Sequence, residues 1–134
     1  MAIVIKNGRM IDPASGTDDG LDIVINGDRI TDIGRNLAPA AADTVVDAAG
    51  CLVLPGLIDM HVHFREPGRE DVETILGGSR VAAKSGFTSV VTMPNTQPVI
   101  DNQALVRFII MEAAKGPINV FPAANITKGG KGEE

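Results

Sequence analysis

Two histidines spaced two positions apart are the first residues in this sequence that could perform chemistry. His61 and His63 are the only histidines among the 134 residues, and they fall in residues 59–65 (DMHVHFR). Residues i and i+2 of a β-strand lie on the same side, about 6.5–7 Å apart. Two imidazoles at this offset can reach one metal ion, since a Zn–N bond is about 2.0–2.1 Å long. The alternative is a pair of structural histidines on a half-exposed strand.

The residues around the pair predict how this strand is placed. In an unbroken strand over residues 52–64, polar and apolar side chains alternate between the two faces. We expect the apolar face to pack under a layer of helices, so that the polar face lines a cavity. An acid before the pair and an arginine after it favour metal ligation. The polar face would carry Asp59, His61, His63 and Arg65, and the apolar face Ile58, Met60, Val62 and Phe64.

Residues 1–50 are predicted to form a small β unit without chemistry of its own. Short apolar runs alternate with turn residues, and residues 21–33 read as a hairpin around Asn26-Gly27. Residues 12–20 are rich in Asp, Ser and Gly, so we expect a loop there.

After Gly50 the pattern changes to strand, helix, strand, helix, strand. Helices are predicted over residues 71–85 and from residue 101 or 102 to 115, and the paired glycines Gly77-Gly78 indicate close contact with a sheet. This order is typical of a parallel sheet with right-handed crossovers. In such sheets function gathers at the C-terminal ends of the strands. The side chains expected there are His61, His63, Arg65 and Asn95.

Composition excludes several classes of function. Net charge is −5 and aromatic residues make up 3%, with no Trp or Tyr, which argues against a nucleic-acid partner. No apolar run approaches the roughly 18 residues of a membrane span, and the first residues lack a signal-peptide pattern. We therefore expect a cytoplasmic protein. The lone Cys51 cannot form an internal disulfide, and its apolar neighbours predict a buried side chain.

Two motifs resemble a known family. Residues 55–68 (PGLIDMHVHFREPG) resemble the metal-binding signature of dihydroorotases in the amidohydrolase superfamily. Residues 93–96 (MPNT) and 98–102 (PVIDN) resemble their second signature, and residues 126–134 resemble bacterial class I members. The similarity covers essentially the whole sequence.

The resemblance implies the N-terminal part of a (β/α)₈ TIM-like barrel, with about three of its strands present. Residues 1–50 would be a β-sandwich segment, and residues 51–134 the first βα units of the barrel. It also implies one or two Zn²⁺ ions, with His61 and His63 as ligands. The implied reaction is the reversible hydrolysis of L-dihydroorotate to N-carbamoyl-L-aspartate, a step of pyrimidine biosynthesis.

The resemblance also implies roles for individual side chains. Asp59 would orient a metal-bound histidine ring, or have a structural role, rather than bind the metal itself. Alternatives remain: Arg65 could pair with Glu66 or Glu70 at the surface, and Asn95 could be an ordinary turn residue. The side chains implied to contact substrate are His63, Arg65 and Asn95.

The sequence has 134 residues, fewer than the complete barrel of the family that it resembles. A (β/α)₈ barrel needs about 250 residues, so the remaining ligands and the acid–base aspartate are expected beyond Glu134. No catalytic residue is assigned within the chain, and we predict that it is inactive by itself. The alternatives are an allantoinase or hydantoinase, or a non-catalytic partner of another pathway enzyme. A homo-oligomer or an association with aspartate transcarbamoylase is left open.

Overall fold

Seven short strands build the first part of the chain in the computed structural model, which describes residues 1–132. They form one sheet of order β5-β4-β1-β6 and a second of order β3-β2-β7. The strands are β1 (Ile3–Lys6), β2 (Arg9–Asp12), β3 (Thr17–Gly20), β4 (Asp22–Asn26), β5 (Arg29–Gly34), β6 (Thr44–Asp47) and β7 (Leu52–Val53).

The predicted hairpin is present as β4 and β5. Its two turn residues are Gly27 and Asp28, while Asn26 pairs with Arg29 at the end of the ladder. Gly27 has a φ of 61°, which a glycine adopts without steric cost. The tight turn therefore depends on Gly27 alone rather than on both residues of the Asn-Gly pair.

The loop expected over residues 12–20 is wrong in part, because Thr17–Gly20 forms β3 and pairs antiparallel with β2. Asp18 and Asp19 have low strand propensity, and a cross-strand ion pair offsets it. The exposed guanidinium of Arg9 donates two hydrogen bonds to the Asp18 carboxylate, from Nε at 2.6 Å and from Nη2 at 2.7 Å. Cys51 is exposed, so its predicted burial is also wrong.

A buried carboxylate organises this first unit. Asp22 is 6% exposed and accepts a hydrogen bond from Lys6 Nζ at 2.9 Å. It also accepts from the backbone N–H groups of Asn7 and Leu37, at 3.1 and 3.0 Å. These bonds join β1, β4 and the segment after β5. The hydrogen bond from Lys6 and those from the two backbone groups hold the Asp22 pKa below its ordinary value, although burial opposes them.

The chain divides into two compact units, Met1–Pro55 and Gly56–Glu134. The sequence prediction placed this division after Gly50. Strand β7 lies in the first unit because Leu52 and Val53 pair in parallel with β2. The strand expected over residues 52–64 is therefore two separate strands in two different sheets.

The second unit alternates strands and helices as the sequence predicts. Its three strands pair in parallel in the order β10-β9-β8. Its core is a single apolar cluster that includes Phe64, Ile75, Val90 and Ile109. Within residues 1–132, no helix is long and apolar enough to cross a membrane. The elements are β8 (Leu57–Val62), α1 (Ile75–Lys84), β9 (Phe87–Thr92), α2 (Gln103–Ala113), β10 (Asn119–Pro122) and a 3₁₀ turn at Lys128–Gly130.

Helix α1 begins four residues later than predicted. Thr74 caps it by accepting the N–H of Gly77 at 3.0 Å, and the Glu66 carboxylate accepts the N–H of Ile75 at 2.8 Å. These bonds satisfy donors that a helix start leaves free. Close packing is present at Gly78, where a Cβ atom would overlap the ring of Phe64, but Phe64 follows β8 and is not part of the predicted contact with a strand.

Candidate metal centre

The strand that carries the histidines has two register shifts against β9, between Leu57 and Ile58 and between Asp59 and Val62. Asp59 pairs with Val90, and the next paired residue, Val62, pairs with Thr92. Three steps along β8 therefore match two along β9, which is the geometry of a β-bulge. The unbroken alternation predicted for residues 52–64 is wrong, because the extra residue changes the side to which every later side chain points.

The bulge separates Asp59 from the histidines. Paired residues of a ladder point to the same side, so Asp59 and Val62 share the side of Val90, which packs in the core. His61 and His63 flank Val62 and are both exposed. A common polar face of Asp59 with the histidines is therefore a wrong prediction.

The predicted apolar face is confirmed only beyond the bulge. Val62 packs against the core, and Phe64 is buried in it. Ile58 and Met60, which precede or lie within the bulge, are 66% and 74% exposed. The helices therefore cover the second half of the predicted apolar face and leave the first half open.

The two imidazoles converge through the same type of atom. The Nε2 atoms of His61 and His63 are 3.1 Å apart, and the ring planes are inclined by 59°. Two Zn–N bonds of about 2.05 Å at a tetrahedral angle place their nitrogens about 3.3 Å apart. The separation of the two Nε2 atoms thus fits shared ligation of one metal ion.

Asn95 orients the second imidazole. Its Oδ1 atom lies 2.9 Å from His63 Nδ1. An amide oxygen can only accept, so Nδ1 carries the proton and the lone pair is on Nε2. That lone pair can accept the Nε2–H of His61 or bind a metal ion. Such a bond to the distal nitrogen is the usual support of a histidine ligand.

Arg65 is exposed and lies in the loop three residues after the end of β8. Within residues 1–132 its guanidinium forms no ion pair. The two carboxylates that could have held it bind elsewhere, since Glu66 accepts from Ile75 N–H and Glu70 accepts from Gly68 N–H. The described part of the chain therefore favours an available guanidinium over the surface pairing that the sequence left open.

A contact that the sequence did not suggest joins the loops after β8 and β9. The N–H of Gln97 donates to Pro67 O at 3.1 Å. Gly68 has a φ of 105°, and a Cβ atom there would overlap the Gln97 carbonyl. This contact fixes the loop that bears Arg65 against the loop that bears Asn95. The Pro-Gly pair was the only sequence signal for it, and it marks a turn without naming its partner.

Only part of a metal site is present in the described chain. Among residues 1–132, no group of three or more His, Cys, Asp or Glu side chains could hold a metal ion. Sites with a catalytic zinc use three protein ligands and an open position, and the histidine pair fits two of them. A cavity of about 290 Å³ beside His63 has a mainly apolar lining, which includes Val81 and Phe87 and does not suit a charged substrate.

Fold comparisons define the class of protein. L-Hydantoinase (dihydropyrimidinase) from Arthrobacter aurescens matches 96% of this chain with a TM-score of 0.79 and 22% identity, over 28% of its own length. D-Hydantoinase (dihydropyrimidinase) from Thermus sp. matches 97% with a TM-score of 0.73 and 28% identity, over 29% of its length. The chain thus has the mixed α/β fold of one segment of these hydrolases.

Sequence comparisons then give the family. Residues 50–134 match the family described as dihydro-orotase-like, and the chain belongs to that family. Curated relatives named dihydroorotase, from Pelobacter propionicus and Geobacter sulfurreducens, are 52% and 53% identical over 99% of this chain. The chain spans 32% of the length of each of these relatives.

Proposed function

We propose that this chain is the N-terminal portion of a dihydroorotase, which converts L-dihydroorotate reversibly to N-carbamoyl-L-aspartate in pyrimidine biosynthesis. The observation that carries the proposal is the 3.1 Å approach of the His61 and His63 Nε2 atoms, with Asn95 hydrogen-bonded to His63 and Arg65 two residues further along the chain. About 50% identity to proteins named dihydroorotase supports the choice of reaction.

The proposal includes a (β/α)₈ barrel to which β8, β9 and β10 contribute the first strands. The side of their sheet that faces away from the helices supports it. Ile58, Met60 and Phe121 are between 56% and 74% exposed there or at its edge. Apolar side chains line the interior of such barrels. The remaining strands, the other metal ligands and the acid–base aspartate would come from outside these 134 residues.

The chain's own residues have separable roles in this proposal. His61 and His63 would hold Zn²⁺ through Nε2, and the hydrogen bond from His63 Nδ1–H to Asn95 would keep that ring in the required tautomer. Bound zinc supplies Lewis acidity toward the ring amide and lowers the pKa of water from 15.7 to about 7. One or two ions per site fit the family, and no described residue is assigned proton transfer.

Substrate recognition falls to the loops after β8 and β9. The planar guanidinium of Arg65 matches the two oxygens of a carboxylate. The Asn95 amide can donate to the same carboxylate through Nδ2, because its Oδ1 atom is already used by His63. The contact between Gly68 and Gln97 holds these two loops in register. The same site would thus bind the carboxylate of L-dihydroorotate while the ring amide faces the histidines.

A hydantoinase is the second candidate, because the solved structures with the same fold include proteins of that name. Hydantoins lack the free carboxylate of dihydroorotate, and an arginine two residues after the second histidine would then have no ligand. A non-catalytic partner role has no observation in its favour. A cytoplasmic location, a homo-oligomer and an association with aspartate transcarbamoylase stay predictions from the sequence.

The test is hydrolysis of L-dihydroorotate, allantoin and a hydantoin by a full-length protein that carries this sequence. We expect dihydroorotate alone to be turned over, and Arg65→Met to lower kcat/KM by about a hundredfold, from the loss of a charge-assisted hydrogen bond. Arg80→Met, on the exposed surface of α1, is the matched control. Preference for a hydantoin, or turnover by the 134-residue chain alone, would contradict the proposal.

A further inference from the structure

We propose that Asp59 is a positioning residue that sets the bulge in β8 and thereby directs both imidazoles to one metal ion. The inference rests on the proposed function for the identity of the metal site. It assigns Asp59 a role through the backbone, which differs from the support of a histidine ring that the sequence suggested.

The first step of the argument is the register of β8 against β9. Asp59 lies opposite Val90, on the side that packs against the helices. An earlier register shift, between Leu57 and Ile58, is what brings Asp59 opposite Val90. If the ladder continued from that pair without the bulge, His61 would lie opposite Thr92, which is buried. An imidazole would then point into the helix layer, and Val62 would point out. One inserted residue exchanges these positions, because a slip of one residue turns every side chain to the other face.

The second step is the hydrogen bond that accompanies the inserted residue. A bulge removes backbone groups from the ladder, and Met60 and His61 have no partner residue on β9. The N–H of His61 donates instead to Asp59 Oδ1 at 2.9 Å. Short polar side chains compete with regular ladders by binding backbone groups two residues away. Asp59 thus satisfies the donor that the bulge releases.

The Asp59 carboxylate does not contact the histidine rings. Within residues 1–132 its carboxylate makes no ion pair and no hydrogen bond to either imidazole. The partners of the two rings are each other and Asn95. Asp59 therefore acts through the backbone of His61, and an acceptor oxygen at this position is sufficient.

This conclusion makes a specific prediction for substitutions of Asp59. In the full chain, Asp59→Ala should weaken Zn²⁺ binding by about 10–100-fold, the usual cost of losing a residue behind a ligand. Asp59→Asn keeps Oδ1 as an acceptor and should stay within about threefold of wild type. Zn²⁺ affinity is measured by competition with a chromophoric chelator, and thermal unfolding of each variant shows whether the fold is kept.

Two outcomes would overturn the proposal. Wild-type affinity in Asp59→Ala would show that the bulge does not need the carboxylate. Equal weakening in Asp59→Asn would show that the negative charge matters rather than the acceptor. Affinity lost in Asp59→Ala and retained in Asp59→Asn supports the proposal.

A measurement on the unmodified chain covers the case in which Asp59→Ala fails to fold. Amide hydrogen exchange should show the His61 N–H protected, although it lies outside the ladder and on an exposed residue. Exchange of this amide at the rate of an exposed loop would overturn the proposal. Neither readout needs a substrate, so a failure of the dihydroorotase assignment would appear in the turnover assay and leave these results unchanged.

Discussion

In each of the two compact units an aspartate accepts hydrogen bonds from backbone N–H groups, with different consequences. In the first, Asp22 is buried and its oxygens bind Lys6 and two backbone N–H groups, so every bond closes within the unit. In the second, Asp59 is half-buried and binds the backbone of His61, whose imidazole is exposed. The hydrogen bonds of Asp22 stabilise the fold of the first unit, whereas the hydrogen bond of Asp59 holds the backbone of a residue whose side chain is exposed.

The difference follows from the local architecture. The strands of the first unit are joined mostly by antiparallel pairs and short connections, and a carboxylate can bridge neighbouring strands there. The strands of the second unit are parallel and separated by helices, so their C-terminal ends gather loops at one edge. We therefore expect substitutions in the second unit to change metal binding, and substitutions at Asp22 in the first unit to change stability.

The largest effect is expected from removal of one imidazole. His61→Ala or His63→Ala should weaken Zn²⁺ binding by more than about a hundredfold, beyond the range for residues behind a ligand. Arg9→Met breaks an exposed ion pair of the first unit and is the control. Competition titration with a zinc chelator measures all three. A comparable loss in Arg9→Met would remove the functional distinction between the units.

The next effect concerns the stability of the first unit. Asp22→Ala leaves two backbone donors without their acceptor and Lys6 with only the Leu37 carbonyl, and we expect a loss of about 3 kcal/mol in the free energy of unfolding. Asp28→Ala, at an exposed turn position of the same unit, should leave the urea midpoint unchanged. Equal midpoints for the two variants would contradict the closed network.

The same network gives this unit a pH dependence of defined sign. The Asp22 pKa is lowered in the folded state, so its contribution is fully present above the unfolded pKa of about 3.9. It is lost as the pH falls through the folded value. Residue-resolved NMR during acid titration should show this loss in wild type and not in Asp22→Ala.

A smaller effect is expected where α1 packs closely on the segment that follows β8. Gly78→Ala places a methyl group against the buried ring of Phe64 and should cost about 2 kcal/mol. Gly77→Ala is the matched control, because its methyl group meets only Thr74 Oγ1, at 3.0 Å. It should change stability by no more than about 1 kcal/mol. Urea unfolding that ranks the two alanines in the opposite order would contradict the contact.

The smallest effect is expected at Thr92. Its hydroxyl is buried and has no hydrogen-bond partner among residues 1–132. Thr92→Val removes this cost in the same shape, so stability should stay equal or rise by about 1 kcal/mol. Thermal unfolding measures the change. A marked loss of stability would mean that the hydroxyl has a partner, and the end of β9 would then need a polar role.

Sequence periodicity predicted the elements of the second unit better than their register. Both predicted helices are present, and the predicted start of α2 at residue 101 or 102 agrees with its cap, Asn102, whose side chain accepts the N–H of Leu105. These features depend on residues a few positions apart. Close packing at Gly78 was predictable because glycines inside a helix have a cost that such packing can offset, although its partner Phe64 was not.

The bulge could not be predicted in the same way. Its position depends on which residue of β9 lies opposite Asp59, and a period of two within β8 carries no information about that neighbour. Strand β3 was missed for a related reason, since its pairing rests on Arg9 rather than on its own residues. A sequence pattern within one segment reflects interactions within that segment, whereas the register of a strand depends on the residues of the strand that pairs with it.

The central claim is that His61 and His63 bind one metal ion through Nε2 while Asn95 keeps His63 Nδ1 protonated. Nitrogen-15 NMR of the imidazoles in a full-length protein that carries this sequence tests it most directly, with His61→Ala and His63→Ala identifying the signals of the two rings. On addition of Zn²⁺, both Nε2 signals should shift to metal-bound positions, and His63 Nδ1 should remain protonated. Unshifted Nε2 signals, or binding through His63 Nδ1, would contradict the account.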